Sequence, residues 1–220
     1  MILTNLYHKH VHPHKHIRYG LFAAIVAGVF ATAFFGYHWY TQRYNERAQI
    51  ALATVIDLYD KARHENAAHV WAELQQVCEQ EYRAYGSSEL GPYFLAFQAD
   101  AALSKGDIPA ALAFIDRVLA AVPHKSPLYG FYATKQALIK CDSSDKTIKT
   151  AGEQELQALS TDPGNKTRTM ALYYRGLRAF DAGMRAEAMS IWKNLADLAG
   201  SGATESIWAT RAKEKLAFVA

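Results

Sequence analysis

Two cysteines in 220 residues, Cys78 and Cys141, are too few for a disulfide framework, and neither stands in a C-x-x-C pair. With 13 Gly and 6 Pro the chain is too poor in both for a fibrous or low-complexity protein, and 50% hydrophobic residues are too many for a disordered one. Nowhere does period-two alternation of apolar and polar residues last long enough for a convincing strand. The phosphate-binding G-x-x-x-x-G-K-[ST], the dinucleotide G-x-G-x-x-G and the nucleophile-elbow G-x-S-x-G are all missing. His64-Glu65-Asn66-Ala67-Ala68-His69 has one residue too many for a zinc-protease helix, because a spacing of five turns the second ring about 140° around the axis. It also falls where a turn is expected. Acidic residues are scattered over polar helix faces, the usual pattern of a solvated surface. No catalytic set and no cofactor site is expected, so the chain reads as a non-enzyme.

Net charge is also small where it matters. The formal +3 is concentrated in residues 1–45, where Lys9, Lys15, Arg18 and Arg43 face no acid. Removing those four leaves 20 basic against 21 acidic side chains, and a near-neutral body is a poor phosphate binder. Nucleic acid is excluded as a partner. The basic end adjoins Gly20–Tyr40, 21 residues without Lys, Arg, Asp or Glu. As a helix these would span about 31 Å, near the ~30 Å of a hydrocarbon core. Tyr19 at one end and Tyr37, Trp39 and Tyr40 at the other resemble interfacial belts. A transmembrane helix over 20–40 is therefore expected, after a basic, His-rich cytoplasmic tail over 1–19 and before a large domain over 41–220 outside the cytoplasm. Ala31-Thr32-Ala33 would suit a signal-peptide cleavage site, but the apolar run continues past it, which favours an uncleaved anchor.

Beyond that run the period is helical almost throughout. Ala48, Leu52, Val55, Ile56, Tyr59 and Ala62 form one stripe, and Ala67, Val70, Trp71, Leu74, Val77, Cys78 and Tyr82 the next. Further helices are expected over 92–105, 108–122, 127–140, about 148–160, 168–182, 185–199 and from 204 onward, separated by short turns rich in Gly, Pro, Asp and Asn. Two stretches repeat one another. Leu95, Ala99, Ala102, Gly106, Ala111 and Ile115 stand at the same intervals as Leu172, Gly176, Ala179, Gly183, Ala188 and Trp192, with Pro123 and Gly200 closing the units. Small residues let paired helices approach closely, glycine turns the chain, and the late bulky residue packs on the next unit. Looser copies run through Val55, Tyr59, Ala68 and Ala72, and through Leu138, Ala151, Ala158 and Pro163. The pattern resembles the tetratricopeptide repeat. The fold class expected is all-α: a single N-terminal transmembrane helix, a tetratricopeptide-like helical solenoid and a C-terminal capping helix.

The combination of a short basic tail, one apolar span, degenerate repeats and a terminal helix resembles the ancillary subunit family of the bacterial SecYEG translocon, over about residues 17–219. Leu95–Pro123 and Ala171–Leu198 carry the resemblance most closely. It implies a bacterial inner-membrane, single-pass protein with its N-terminus cytoplasmic and its C-terminal domain periplasmic. The partners it implies are translocon subunits, exported or unfolded chains, and the lipid bilayer around the span.

Three local features need a reading of their own. His8, His10, His12, His14 and His16 alternate, and in an extended chain held from helicity by Pro13 they would share one side, as metal-binding imidazoles do. No carboxylate or thiol completes a geometry, and a polar tail leaning on anionic lipid explains them as well, so no metal is assigned. Cys78 and Cys141 read as small buried hydrophobes. Asn165-Lys166-Thr167 is a glycosylation sequon, relevant only in a eukaryotic secretory setting. Aromatic residues make up 12% of the chain and gather on the first helix of each pair, too densely for all to point inward. Tyr93, Phe97, Tyr132, Tyr173 and Tyr174 are the candidate partner-binding residues, set along the concave face of a solenoid. The function expected is that of a protein-binding adaptor or chaperone-like subunit. Alternatives are a scaffold subunit without clients and, more distantly, a metal sensor using the histidine tail.

Overall fold

The computed structural model describes residues 3–200 and 206–219, with side chains from Phe22 onward save Ala23, Ala199 and Gly200. Among the described residues every regular element is an α-helix: α1 Leu3–Glu65, α2 Ala68–Tyr85, α3 Gly91–Ser104, α4 Ile108–Ala121, α5 Pro127–Cys141, α6 Lys146–Thr161, α7 Arg168–Asp181, α8 Arg185–Gly200 and α9 Ile207–Val219. From α3 on, these limits match the sequence expectation to within about three residues. The chain divides into two units, Met1–Ile50 and Ala51–Ala220.

The first unit is formed by the N-terminal part of α1. Ile25, Val29, Phe30, Phe34 and Trp39 are each more than half exposed. The expected span over 20–40 requires correction, and with it the single-pass inner-membrane placement. Among the described residues no helix is long and apolar enough to cross a membrane. Tyr37, His38, Trp39 and Tyr40 carry polar atoms, and the uncharged run before them, Gly20–Gly36, covers only about 26 Å of helix axis. That falls short of the ~30 Å of a hydrocarbon core. The histidine tail also differs from expectation, since the backbone is helical from Leu3 and its period is not two. The side chains of His8, His10, His12, His14 and His16 lie outside the described residues.

The second unit is a run of helix pairs. Consecutive helices pack on each other from α2 to α9, while α5 also meets α7 and α7 also meets α9. First helices touching first helices is the contact pattern of a tetratricopeptide-like solenoid. Good local chemistry starts the helices. Asp107 caps α4 by accepting from Ala110 N at 3.0 Å, and Asp145 caps α6 by accepting from Thr147 N at 2.7 Å. Pro92, Pro109 and Pro127 occupy first turns, where a missing N–H costs nothing. The two well-matched repeats turn identically. Gly106 at φ 74° and Gly183 at φ 80° adopt the left-handed conformation. The residue after each glycine, Asp107 or Met184, donates five residues back, to Ala102 O at 3.0 Å or Ala179 O at 2.9 Å, closing the same C-terminal motif.

Close approach of paired helices depends on the small residues. A Cβ added to Gly176 would lie 2.7 Å from Trp192 Cδ1, so the α7–α8 crossing leaves no room for a methyl group. In the central repeat the register differs from the expected one. Buried Gly152 crosses α5 at Ala137, whose carbonyl oxygen would lie 2.7 Å from an added Cβ; Leu159 turns inward, whereas Ala158 is exposed. The spacing from Ala137 to Gly152 is 15 residues against 12 from Gly176 to Ala188: the turn is longer by one residue, and Gly152 sits three residues deeper in α6 than Ala188 does in α8. That shift conceals the pattern from a fixed-interval reading. In the first repeat Ala68 and Ala72 are exposed and Ile56 is 42% exposed. Val55, Ala62, Val70, Trp71, Leu74 and Cys78 form its core instead, joined by Phe94 and Ala101 of α3.

Candidate functional site

The face that odd-numbered helices share is set by what each helix buries elsewhere. On α3, Leu95, Ala99 and Ala102 pack toward α4, and Phe94 and Ala101 toward the first repeat. Tyr93 and Asp100 are left outside both clusters, and Phe97, between them at spacings of four and three, packs at the edge of the first-repeat cluster; each is half-buried. On α5 Phe131 and Lys135 lie outside the core clusters, while Leu138, and on α7 Tyr174 and Leu177, are half-buried at the edge of theirs. The last third of α1 contributes Tyr59, whose ring centroid lies 4.9 Å from that of Phe97 and 5.9 Å from Trp71.

The five residues expected from sequence separate into two groups. Tyr93, Phe97 and Tyr174 are half-buried on this open face. Tyr132 and Tyr173 are only 5% and 8% exposed and pack between helices. Tyr132 belongs to the α3–α4 core, and Tyr173 lies 5.5 Å from Trp208 and 6.5 Å from Trp192 by ring centroid. Sequence reasoning passed over Tyr59, Phe131, Leu138 and Leu177. Phe131, 39% exposed, stands edge-to-face against Tyr132 at 5.2 Å, so of two adjacent rings one is core and the other open. A helical wheel centred on Ala137 and Gly152 separates them, but only once the central register is known.

A polar strut crosses the face. Lys135 Nζ pairs with Asp100 Oδ1 at 2.6 Å, with both side chains about one-fifth exposed. Tyr59 hydrogen-bonds to the same carboxylate. Burial, then the negative charge of Asp100, raises the Tyr59 phenol above its usual range. Tyr132 is raised more strongly, first by burial and then by Tyr93 and Asp100. Both phenols are therefore neutral donors at physiological pH. The strut ties α1, α3 and α5 together, leaving one open surface with apolar rings around a satisfied ion pair.

A second concavity, a cleft of about 400 Å³, lies where Cys141, Glu153, Leu156, Arg175, Arg178 and Glu187 meet. Its two arginines are engaged: Arg178 Nη1 pairs with Asp142 at 2.5 Å while Nη2 donates to Cys141 O at 3.0 Å, and Arg175 lies 3.8 Å from Glu187. Cys141 and Cys78 are both free and buried. Burial raises both thiols, Cys78 to about 12. His64 and His69 flank the α1–α2 turn, where Asn66 takes φ 48°, so they share no helix. Among the described residues no three His, Cys, Asp or Glu side chains are grouped to hold a metal. The sequon serves as a turn, with Asn165 donating to Leu159 O at 2.8 Å and accepting from Thr167 N at 3.0 Å.

No protein-family model matches the chain, and no curated protein matches its sequence. Among solved structures, a putative kinesin light chain of Podosopora anserina with nearly identical TPR-like repeats is similar to it, as is a single-substitution variant of that protein. Each aligns at 13% identity and a TM-score of 0.49, covering 75% of this chain and 84% of the other. The repeat architecture of the present chain rests on its own helix pairing.

Proposed function

We propose that the chain is a protein-binding scaffold that takes an extended apolar segment of a partner along the face carried by its first helices. One observation supports this reading above the others. Tyr59, Tyr93, Phe97, Phe131 and Tyr174 stay partly exposed on four successive first helices, although each helix has a buried side that could have held them. Rigid rings offer large contact area at low entropy cost, and an array along a solenoid suits a strand-like ligand better than a compact one. Tyr132 and Tyr173 support this array from behind, holding Phe131 and Tyr174 in place. Exported or unfolded chains are the finer partner class, and the translocon a finer one still. Both rest on the sequence resemblance, and neither needs catalysis.

The test is a fluorescence-anisotropy titration of the full chain with an unfolded apolar peptide. Replacing Tyr93 and Phe131 together with Ser is expected to weaken binding roughly tenfold or more, at about 1–2 kcal/mol per true contact ring, with helicity and melting intact. Unaltered binding in a folded variant would place the partner surface elsewhere. A photo-crosslinker at Phe131, with partner identification in cells, separates translocon subunits from exported chains.

A further inference from the structure

The terminal helix α9 packs through Ala209, Ala212, Trp208 and Leu216 onto α7 and α8. Its opposite side is open. Ile207 is 61% and Phe218 84% exposed, and Arg211 and Glu214 between them are exposed as well. At 100° per residue these four lie within about 60° of one another, a single stripe along the helix. A helix stripe with a large exposed apolar residue at each end is a face that a partner can cover.

The order along the stripe says what that cover is. Read from either end it runs apolar, charged, charged, apolar, with spacings of four, three and four, and the two charges have opposite sign. An antiparallel copy of the same helix, related by a twofold axis passing midway between Ala212 and Lys213, matches it throughout. Ile207 then meets the second copy's Phe218, and Arg211 meets the second copy's Glu214, each twice by symmetry. A parallel copy would set Arg211 against Arg211 and Glu214 against Glu214. We propose that α9 is a self-association surface on which two copies of this chain pair antiparallel through Ile207, Arg211, Glu214 and Phe218. Such an interface is isologous, the commonest kind in homodimers. A helix of 13 residues is about 20 Å long, so the contact is small and the association weak and concentration-dependent.

Disulfide trapping in the full chain tests the register. Buried Cys78 and Cys141 leave the introduced thiols as the reactive ones. In the proposed pair, positions 207 and 218 of opposite copies come within bonding reach, whereas 218 and its own symmetry mate stand about 16 Å apart along the axis. A mixture of Ile207→Cys and Phe218→Cys chains, oxidised and run on a non-reducing gel, should give at least roughly ten times more linked dimer than either variant alone. Adding Arg211→Glu to both chains should reduce that yield severalfold, and adding Glu214→Arg as well should restore it. Association through any other surface would link each variant with itself as readily as with the other. Equal self-linking, no linking in the mixture, or a yield indifferent to charge reversal would each overturn the proposal.

Discussion

Gly176→Ala is the smallest change that probes how the α7–α8 pair is built. The added methyl would lie 2.7 Å from Trp192 Cδ1 and 2.9 Å from Cε2, where ordinary carbon contacts are about 3.5–4.0 Å. Trp192 has nowhere to go. Its side chain is fully buried, its Nε1 donates to Tyr173 O at 3.2 Å, and its ring lies 5.9 Å from Phe180. Overpacking of this kind costs about 1–3 kcal/mol, while alanine in a helix interior returns about 1 kcal/mol over glycine. If the indole tilts enough to lose its hydrogen bond, an unsatisfied buried N–H adds about 1–3 kcal/mol. The net expectation is a loss of about 0–2 kcal/mol if the hydrogen bond survives and about 1–5 kcal/mol if it is lost, each kcal/mol lowering the melting temperature by roughly 2–4 °C as read by circular dichroism. Trp192→Phe removes the atoms that the methyl meets, so the double variant should be less destabilised than the sum of the singles by about 1 kcal/mol or more. A melting temperature that rises in Gly176→Ala, as propensity alone dictates, or strict additivity in the cycle, would refute the assigned crossing.

Other expectations follow from the same contacts. Gly152→Ala should cost more than Gly176→Ala, because its Cβ would meet backbone, Ala137 O and Cys141 N, each at 2.7 Å, which cannot rotate aside; chemical denaturation of the two variants ranks them. Gly183→Ala should lose about 1–2 kcal/mol by forcing a side chain into the left-handed conformation, although open space surrounds the position. Trp71→Phe should be tolerated better than Trp192→Phe by about 1 kcal/mol in the same assay, since Trp71 Nε1 has no hydrogen-bond partner to lose. Cys78, raised by burial from the ordinary 9.0 to about 12, contributes stability that is complete below about pH 9 and declines as pH rises toward 12, because the unfolded thiol ionises first. Cys78→Ala should flatten that alkaline decline, and the native chain at about pH 8 should label with a thiol reagent only after denaturant is added.

From residues alone, period and punctuation were enough to determine the helices and the two good repeats. Gly106 and Gly183 announce their turns because only glycine tolerates that φ cheaply, and Ala99, Gly176 and Ala188 announce crossings because nothing larger fits. These are local requirements, so they are written where they act. The central register was not legible, because Gly152 sits three residues deeper in its helix than the crossing residue of the good repeats and so breaks the fixed interval. Nor could sequence decide between neighbours such as Phe131 and Tyr132, or Tyr173 and Tyr174. Adjacent aromatics straddle the edge of a helix's apolar stripe, and which ring is core depends on where the neighbouring helices press against it. The run over 20–40 shows the same limit from the other side. The absence of charge there is a property of composition, but Tyr37, His38, Trp39 and Tyr40 shorten the apolar stretch of α1, and among the described residues no helix is long and apolar enough to cross a membrane. Tertiary structure alone assembled the strut of Tyr59, Asp100 and Lys135 from three helices far apart in sequence, since an ion pair at 2.6 Å is a fact of packing and leaves no periodic trace.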